Sequence, residues 1–97
     1  MSRKENEENL GEVIDRLLKA YGLEDGYYAA AVVTHWEKMM GPAIARRTKE
    51  IKLNSGTLTI FLDSSTLRQE LSFAKEKIAK RINREMGHKL VEKVELR

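Results

Sequence analysis

The chain has 97 residues, of which 41% are hydrophobic and 34% charged, with a formal net charge of +3 and no cysteine. That length fits one domain and that composition a folded globular chain; without a thiol, a disulfide framework and a thiolate metal site are both excluded. The longest apolar run, YYAAAVV, falls far short of the roughly 18–20 residues of a membrane span, and the start MSRKENEENLGEV has no hydrophobic signal core, so a cytoplasmic location without a membrane partner is expected.

Residues 1–9 are polar and read as a disordered N-terminus, leaving residues 10–97 as a single domain. Leu10, Val13, Ile14, Leu17, Leu18 and Tyr21 recur at the three-and-four spacing of an amphipathic helix. Gly22 ends it, because glycine is most easily placed left-handed at a helix C-terminus. LEDG reads as a turn in which Asp25 caps the next helix by accepting backbone N–H bonds. That helix, from about residue 27 to residue 40, carries Tyr28, Val32, Trp36 and Met39 or Met40 on one face. Gly41-Pro42 then breaks the pattern, since glycine suits the end of a helix and proline the first position of a new turn. PAIARR is expected as a short helical continuation at an angle.

TKEIKLN and TLTIFLD flank Ser55-Gly56, and Ile51, Leu53, Leu58, Ile60 and Leu62 alternate as a half-buried hairpin should. SSTLRQELSFAKEKIAKRINREMG, residues 64–87, predicts a helix of about six turns. Asp63, Ser64 or Ser65 would cap it, or Thr66 and Gln69 as a capping box one step later, and Gly87 closes it. Leu67, Leu71, Ala74, Ile78, Ile82 and Met86 gather within about 120° of one another, the width of a core stripe. LVEKVELR alternates again and ends the chain as a third strand. The order is α-α-β-β-α-β. Three strands bury one face only when helices pack on it, so the fold class is a two-layer α+β domain with a three-stranded sheet packed on helices.

Charge is spread unevenly. Residues 1–25 hold four Lys or Arg against seven Asp or Glu, a balance of −3, and residues 26–97 hold fourteen against eight, a balance of +6. A basic body suits an anionic partner. On the long helix Lys77, Lys80, Arg81 and Arg84 lie opposite the core stripe and admit two readings: a solvated face, or a stripe that tracks phosphates. Phe73 falls near the azimuth of Lys80 and Arg84, where an aromatic face would accept a base, but its expected place is the core, tucked under the N-terminal helices. On the sheet, Lys52, Thr57, Thr59 and Phe61 point away from the Leu58/Ile60/Leu62 face, and Lys93 and Arg97 oppose Val94 and Leu96. That open side could stack a base on Phe61, dock a protein, or stay solvated, which is the plainer reading. Arg46, Arg47 and Lys49, just ahead of the hairpin, could extend either surface. The candidate nucleic-acid-binding set is therefore Arg46, Arg47, Lys49, Lys52, Phe61, Lys77, Lys80, Arg81, Arg84 and Lys93.

Other chemistry finds little support. His35 and His88 are far apart and lack a ligand-spaced partner, whereas a metal site needs three or four converging groups. Ser64-Ser65 has no nucleophile-elbow setting and suits capping. Glu70 and Glu76 read as helix-surface charges rather than an acid–base pair. There is no Gly-rich phosphate loop, and Gly41-Pro-Ala-Ile is not the Gly-x-x-Gly clamp that grips a nucleotide backbone. The chain reads as a non-enzyme, with no cofactor and no small-molecule substrate.

HWEKMMGPAIARRTKEIKL, then GTLTIFLDSSTLRQELSFAKEKIAKRIN, then VEKVELR together resemble the DciA family, long catalogued as a bacterial domain of unknown function. The resemblance rests on Trp36 followed by Gly41, the ARRT approach to the hairpin, Gly56-x-Leu58 at the turn, SSTLRQELSF opening the helix and INREMG closing it. It covers about residues 10–97. It implies a fold similar to a K-homology domain and a role in bacterial DNA replication, in which family members bind DNA and assist loading of the replicative helicase. By the same resemblance Trp36, Gly41, Leu58, Leu71 and Phe73 are fold positions, and no catalytic residue carries over. Single-stranded or tailed DNA and the replicative DNA helicase are the partners it implies. Better-known members carry a further flexible C-terminal region that contributes to both contacts. This chain stops at Arg97, which implies weak DNA binding or use of the acidic N-terminal helix for a partner. The alternative function is a protein-interaction adaptor that docks through the amphipathic helix from Leu10 to Tyr21, using its outer acidic face.

Overall fold

The computed structural model describes residues 9–87 and 89–97. Helix α1 is Leu10–Tyr21. Asn9 caps it by accepting from the Gly11 N–H at 2.7 Å, while the Glu12 carboxylate accepts from the Asn9 N–H at 3.2 Å, a reciprocal pair that satisfies two orphan donors. Gly22, at φ 67°, closes the helix in the left-handed conformation. Helix α2, Glu24–Met40, starts about one turn earlier than its pattern predicts, after Leu23, which supplies no side-chain cap. Asp25 is not the expected cap. It lies inside the first turn, and its carboxylate accepts from the Ser55 N–H at 3.1 Å, tying α2 to the hairpin turn.

Gly41, at φ 88°, separates α2 from the short α3, Pro42–Arg47, with the proline at its first position. Trp36 is buried beneath this joint. Its indole N–H donates to Thr48 Oγ1 at 3.0 Å, and that hydroxyl donates to the Ile44 carbonyl at 2.7 Å, so the large ring enters the core without stranding its polar atom. Strands β1, Thr48–Asn54, and β2, Thr57–Leu62, pair antiparallel around Ser55 and Gly56, both at positive φ, the tight turn whose twist matches a hairpin. The Gly56 carbonyl accepts from the N–H groups of Glu92 and Lys93 at 2.8 and 3.1 Å. These bonds start β3, Lys93–Leu96, which runs parallel to β2 with Leu58 opposite Val94. The sheet order is β1-β2-β3.

The predicted six-turn helix is two helices. α4, Ser65–Leu71, is capped by Ser64 accepting from the Leu67 N–H at 3.1 Å, and α5 runs Lys75–Met86. At the joint the Ser72 hydroxyl donates to the Gln69 carbonyl, and the Phe73 and Ala74 N–H groups donate to the carbonyls three residues back, Glu70 and Leu71. Such tightened bonds and a serine competing for backbone carbonyls end an α-helix. The break also overturns the core placement of Phe73, whose side chain is 85% exposed.

The core gathers Val32, Trp36 and Met39 of α2, Ile51 and Leu53 of β1, Leu58, Ile60 and Leu62 of β2, Ile78 and Ile82 of α5, and Val91 and Val94. Helices α2 and α5 thus cover one face of the sheet and leave the other open, the expected two-layer α+β arrangement. α1 stands apart: none of its residues is buried, and the Tyr28 hydroxyl of α2 donates to its Asp15. Burial and that carboxylate push the Tyr28 pKa up to about 12, because both disfavour a phenolate. Among the described residues no helix is long and apolar enough to cross a membrane.

Candidate nucleic-acid interface

The ten candidate residues fall on three surfaces. The first is the outer side of α5. Ile78 and Ile82 fill the core, and at about 100° per residue Lys77, Lys80 and Arg84 emerge on the opposite side, all exposed. Within the described residues none of these three has an acidic partner in ion-pair range. Arg81 belongs elsewhere. It is half-buried with its Nε 3.7 Å from Glu85 Oε1, and the other Glu85 oxygen lies 3.8 Å from Lys38 Nζ of α2. Arg81 therefore turns along the helix flank into an acid, not outward.

The same helix forms one wall of a groove of about 510 Å³, whose other wall is residues 89–94. Lys75 and Lys80 on the helix face Lys89 and Lys93 on the strand side, with Glu76 and Glu92 the acids among them. Lys93 is paired with Glu95 at 3.5 Å, so Lys75, Lys80 and Lys89 against Glu76 and Glu92 leave the groove a small positive surplus, over a floor that includes Ala79, Val91 and Val94. Asn83 holds the two walls together. Its Oδ1 accepts from the N–H groups of Leu90 and Val91 at 2.8 and 2.7 Å, and its Nδ2 donates to the Val91 carbonyl at 2.9 Å. A side-chain amide donates through its NH2 and accepts through its oxygen, and so replaces a missing strand pairing. Lys75, Lys89 and Asn83 were not among the sequence candidates. Lys89 lies outside any periodic segment, and nothing in the sequence tells a half-buried Asn from a helix-surface one.

The open face of the sheet is the second surface. Lys52, Phe61 and Lys93 do lie on it, as alternation requires, but so do Glu50 and Glu95. Lys52 Nζ is 3.9 Å from Glu50 Oε2 and 5.7 Å from the Phe61 ring centroid, covering that ring. Glu95 takes Lys93 at 3.5 Å on one oxygen and Arg97 at 3.6 Å on the other. Exposed pairs of this kind add about 0–1 kcal/mol of stability each; their larger effect here is to cancel the field of the face.

Arg46, Arg47 and Lys49 form the third group, at the start of β1 and so at the sheet edge opposite β3. Arg47 Nη1 lies 3.7 Å from Asp63 Oδ1, and Lys49 occupies the irregularity in the β1–β2 register. The fold does not join this group to the α5 ridge by any continuous cationic surface on the sheet. His35 is exposed, and the other histidine, His88, lies outside the described residues. Among the described residues no three His, Asp or Glu side chains are grouped to hold a metal ion.

Comparison with known proteins gives one result for the whole domain. The family model described as "Dna[CI] antecedent, DciA" matches residues 9–96. A search of curated proteins finds no match. The chain belongs to the DciA family, which links it to loading of the replicative helicase DnaB in DNA replication and is a loader or adaptor family rather than a known enzyme family.

Proposed function

We propose that this DciA-family chain binds DNA at the replicative helicase, with the outer side of α5 and the adjoining groove as its phosphate-facing surface. The observation that carries this reading is the row Lys77, Lys80 and Arg84, exposed and without acidic partners among the described residues. At 1.5 Å of rise per residue the row spans about 10 Å of helix, enough to meet successive phosphates. Lys75, Lys80 and Lys89 around the groove widen the same field. The two-layer fold with two helices between β2 and β3 supports a K-homology-like reading, although the chain lacks the glycine clamp of that class.

Fluorescent single-stranded and duplex oligonucleotides titrated at several salt concentrations test it. Log affinity is expected to fall linearly with log salt, with a slope of about −0.7 to −0.9 per phosphate contact. Lys77→Glu/Lys80→Glu/Arg84→Glu should weaken binding without changing the unfolding temperature. Parent-like binding by this variant at low salt removes the ridge from the site.

A second reading is favoured by a different observation. Leu10 and Tyr21 of α1 are each 74% exposed and Leu17 is 51% exposed, although they lie along the middle of the helix's apolar stripe. An uncovered stripe of this kind fits an adaptor that docks through α1. In that case Leu10→Ser/Leu17→Ser/Tyr21→Ser abolishes capture by purified DnaB while oligonucleotide binding is unchanged. The apolar side, not the acidic one, would make the contact.

A further inference from the structure

Among the described residues Phe73 is the most exposed of the large apolar side chains, at 85%. Its backbone is nevertheless well held. Ser72 bonds to the end of α4 through both its N–H and its hydroxyl, the Phe73 N–H donates to the Glu70 carbonyl at 3.4 Å, and the Ala74 N–H donates to the Leu71 carbonyl at 2.9 Å. The joint thus holds the backbone beneath the ring, so the ordering needed when it meets a partner is confined to the side chain's own rotamers. It stands immediately before α5, four residues ahead of Lys77 in sequence, the first of the three cations without an acidic partner among the described residues. Glu70 and Glu76 are exposed on either side of it, so the charge next to the ring is mixed and the surplus of cations lies farther along α5. The other phenylalanine, Phe61, is half-buried with the Lys52 ammonium over its ring. Phe73 is therefore the open phenylalanine face, at the approach to the three cations of α5 that have no acidic partner among the described residues.

We infer that Phe73 is a base-stacking residue that makes this interface prefer unpaired nucleotides. The inference rests on the DNA-binding reading above and deepens it. Cations along α5 hold a phosphate backbone whether it is single- or double-stranded. A duplex buries the faces of its bases against one another, so a ring at the end of the row gains nothing from it. A single strand offers its base faces, and any base serves, because every base has a π-face. The ridge then supplies affinity and the ring supplies the choice between strands.

The test uses the full chain with a fluorescent oligo(dT) and a duplex of equal charge. Phe73→Ala should weaken single-strand binding by about fivefold to a hundredfold, the range for loss of one stacked base. Duplex affinity should be unchanged, and so should the slope of log affinity against log salt, because no charge is removed. Phe73→Leu should behave like Phe73→Ala, having apolar area but no π-face. Phe73→Trp should keep parent-like binding, and its emission should quench on oligo(dT) above the constant background of buried Trp36. If the parent binds both oligonucleotides and Phe73→Ala binds oligo(dT) equally well, the stacking role is overturned while the DNA-binding reading stands. Equal losses on single strand and duplex overturn it too, as does unchanged oligonucleotide binding with lost capture by DnaB, which would make Phe73 a protein contact. If the parent binds neither oligonucleotide even at low salt, both readings fall together.

Discussion

The outer side of α5 and the open face of the sheet hold similar materials, a few cations and an aromatic ring each. On the sheet, alternation puts Glu50 and Glu95 among Lys52, Lys93 and Arg97, at 3.5–3.9 Å, and the ring of Phe61 is covered by Lys52. On α5, Glu85 sits on the flank and is occupied by Arg81 and Lys38, and Glu76, one turn before Lys80, is exposed and outside ion-pair range of the row. Lys77, Lys80 and Arg84 stay open, and Phe73 is bare. The difference teaches that a count of positive residues says little about a binding surface. What matters is whether the backbone period brings acids onto the same side, since the field a ligand feels is the sum over neighbours.

That contrast can be tested hard. The largest effect should come from the inward side of α5: Ile82→Ala removes a fully buried side chain and should cost about 2–5 kcal/mol in chemical denaturation. The outward Lys77→Glu/Lys80→Glu/Arg84→Glu should barely move the denaturation midpoint yet flatten the salt dependence of DNA binding by about 2 to 3 in log–log slope. Lys52→Glu/Arg97→Glu, on the sheet, should leave that slope unchanged; an equal loss on both faces would erase the distinction. Conversely, Glu50→Gln/Glu95→Gln uncovers the sheet's own cations. With each released pair worth about 0.2–1 kcal/mol, it should raise low-salt affinity by a few-fold, and no gain would mean that the sheet lies beyond the ligand's reach.

The smallest effect concerns α1. The Tyr28 hydroxyl keeps its proton up to about pH 12 in the folded chain, against an ordinary value of 10.0. The raised value means that folding favours the protonated form, so its contribution is complete below pH 10 and is lost as pH rises through 12. The parent's unfolding temperature should therefore fall over that window, and Tyr28→Phe should show a shallower fall. DNA affinity, measured at neutral pH, should be the same for both proteins.

Much of the architecture was legible because it depends on local rules. The α1 pattern from Leu10 to Tyr21 and its Gly22 stop, the Gly41-Pro42 break and the Ser55-Gly56 hairpin all appear where spacing and turn chemistry put them. The long helix did not, and the reason is informative. A 3.6-residue period survives a three-residue joint, so the stripe Leu67, Leu71, Ile78, Ile82 looks continuous although Ser72, Phe73 and Ala74 interrupt it. Phe73 differs for another reason: its azimuth sets it beside Lys80 and Arg84, whereas its apolar ring and the family resemblance favour the core, and at the joint it is exposed. Asp25 misled for a related reason: its carboxylate was assigned to the nearest backbone in sequence, whereas the Ser55 N–H it accepts from lies thirty residues away.

By itself, then, the sequence determined the order of helices and strands, the faces that would be apolar, and the surplus of positive charge in residues 26–97. Those follow from covalent spacing and side-chain chemistry, which are present before the chain folds. Which cations remain open, which are neutralised, and where the aromatic ring ends up were decided only by tertiary structure. Pairing and burial depend on residues that folding brings together across strands and helices, as Asn83 does for the groove and Glu95 for the sheet, and sequence separation carries no record of that distance.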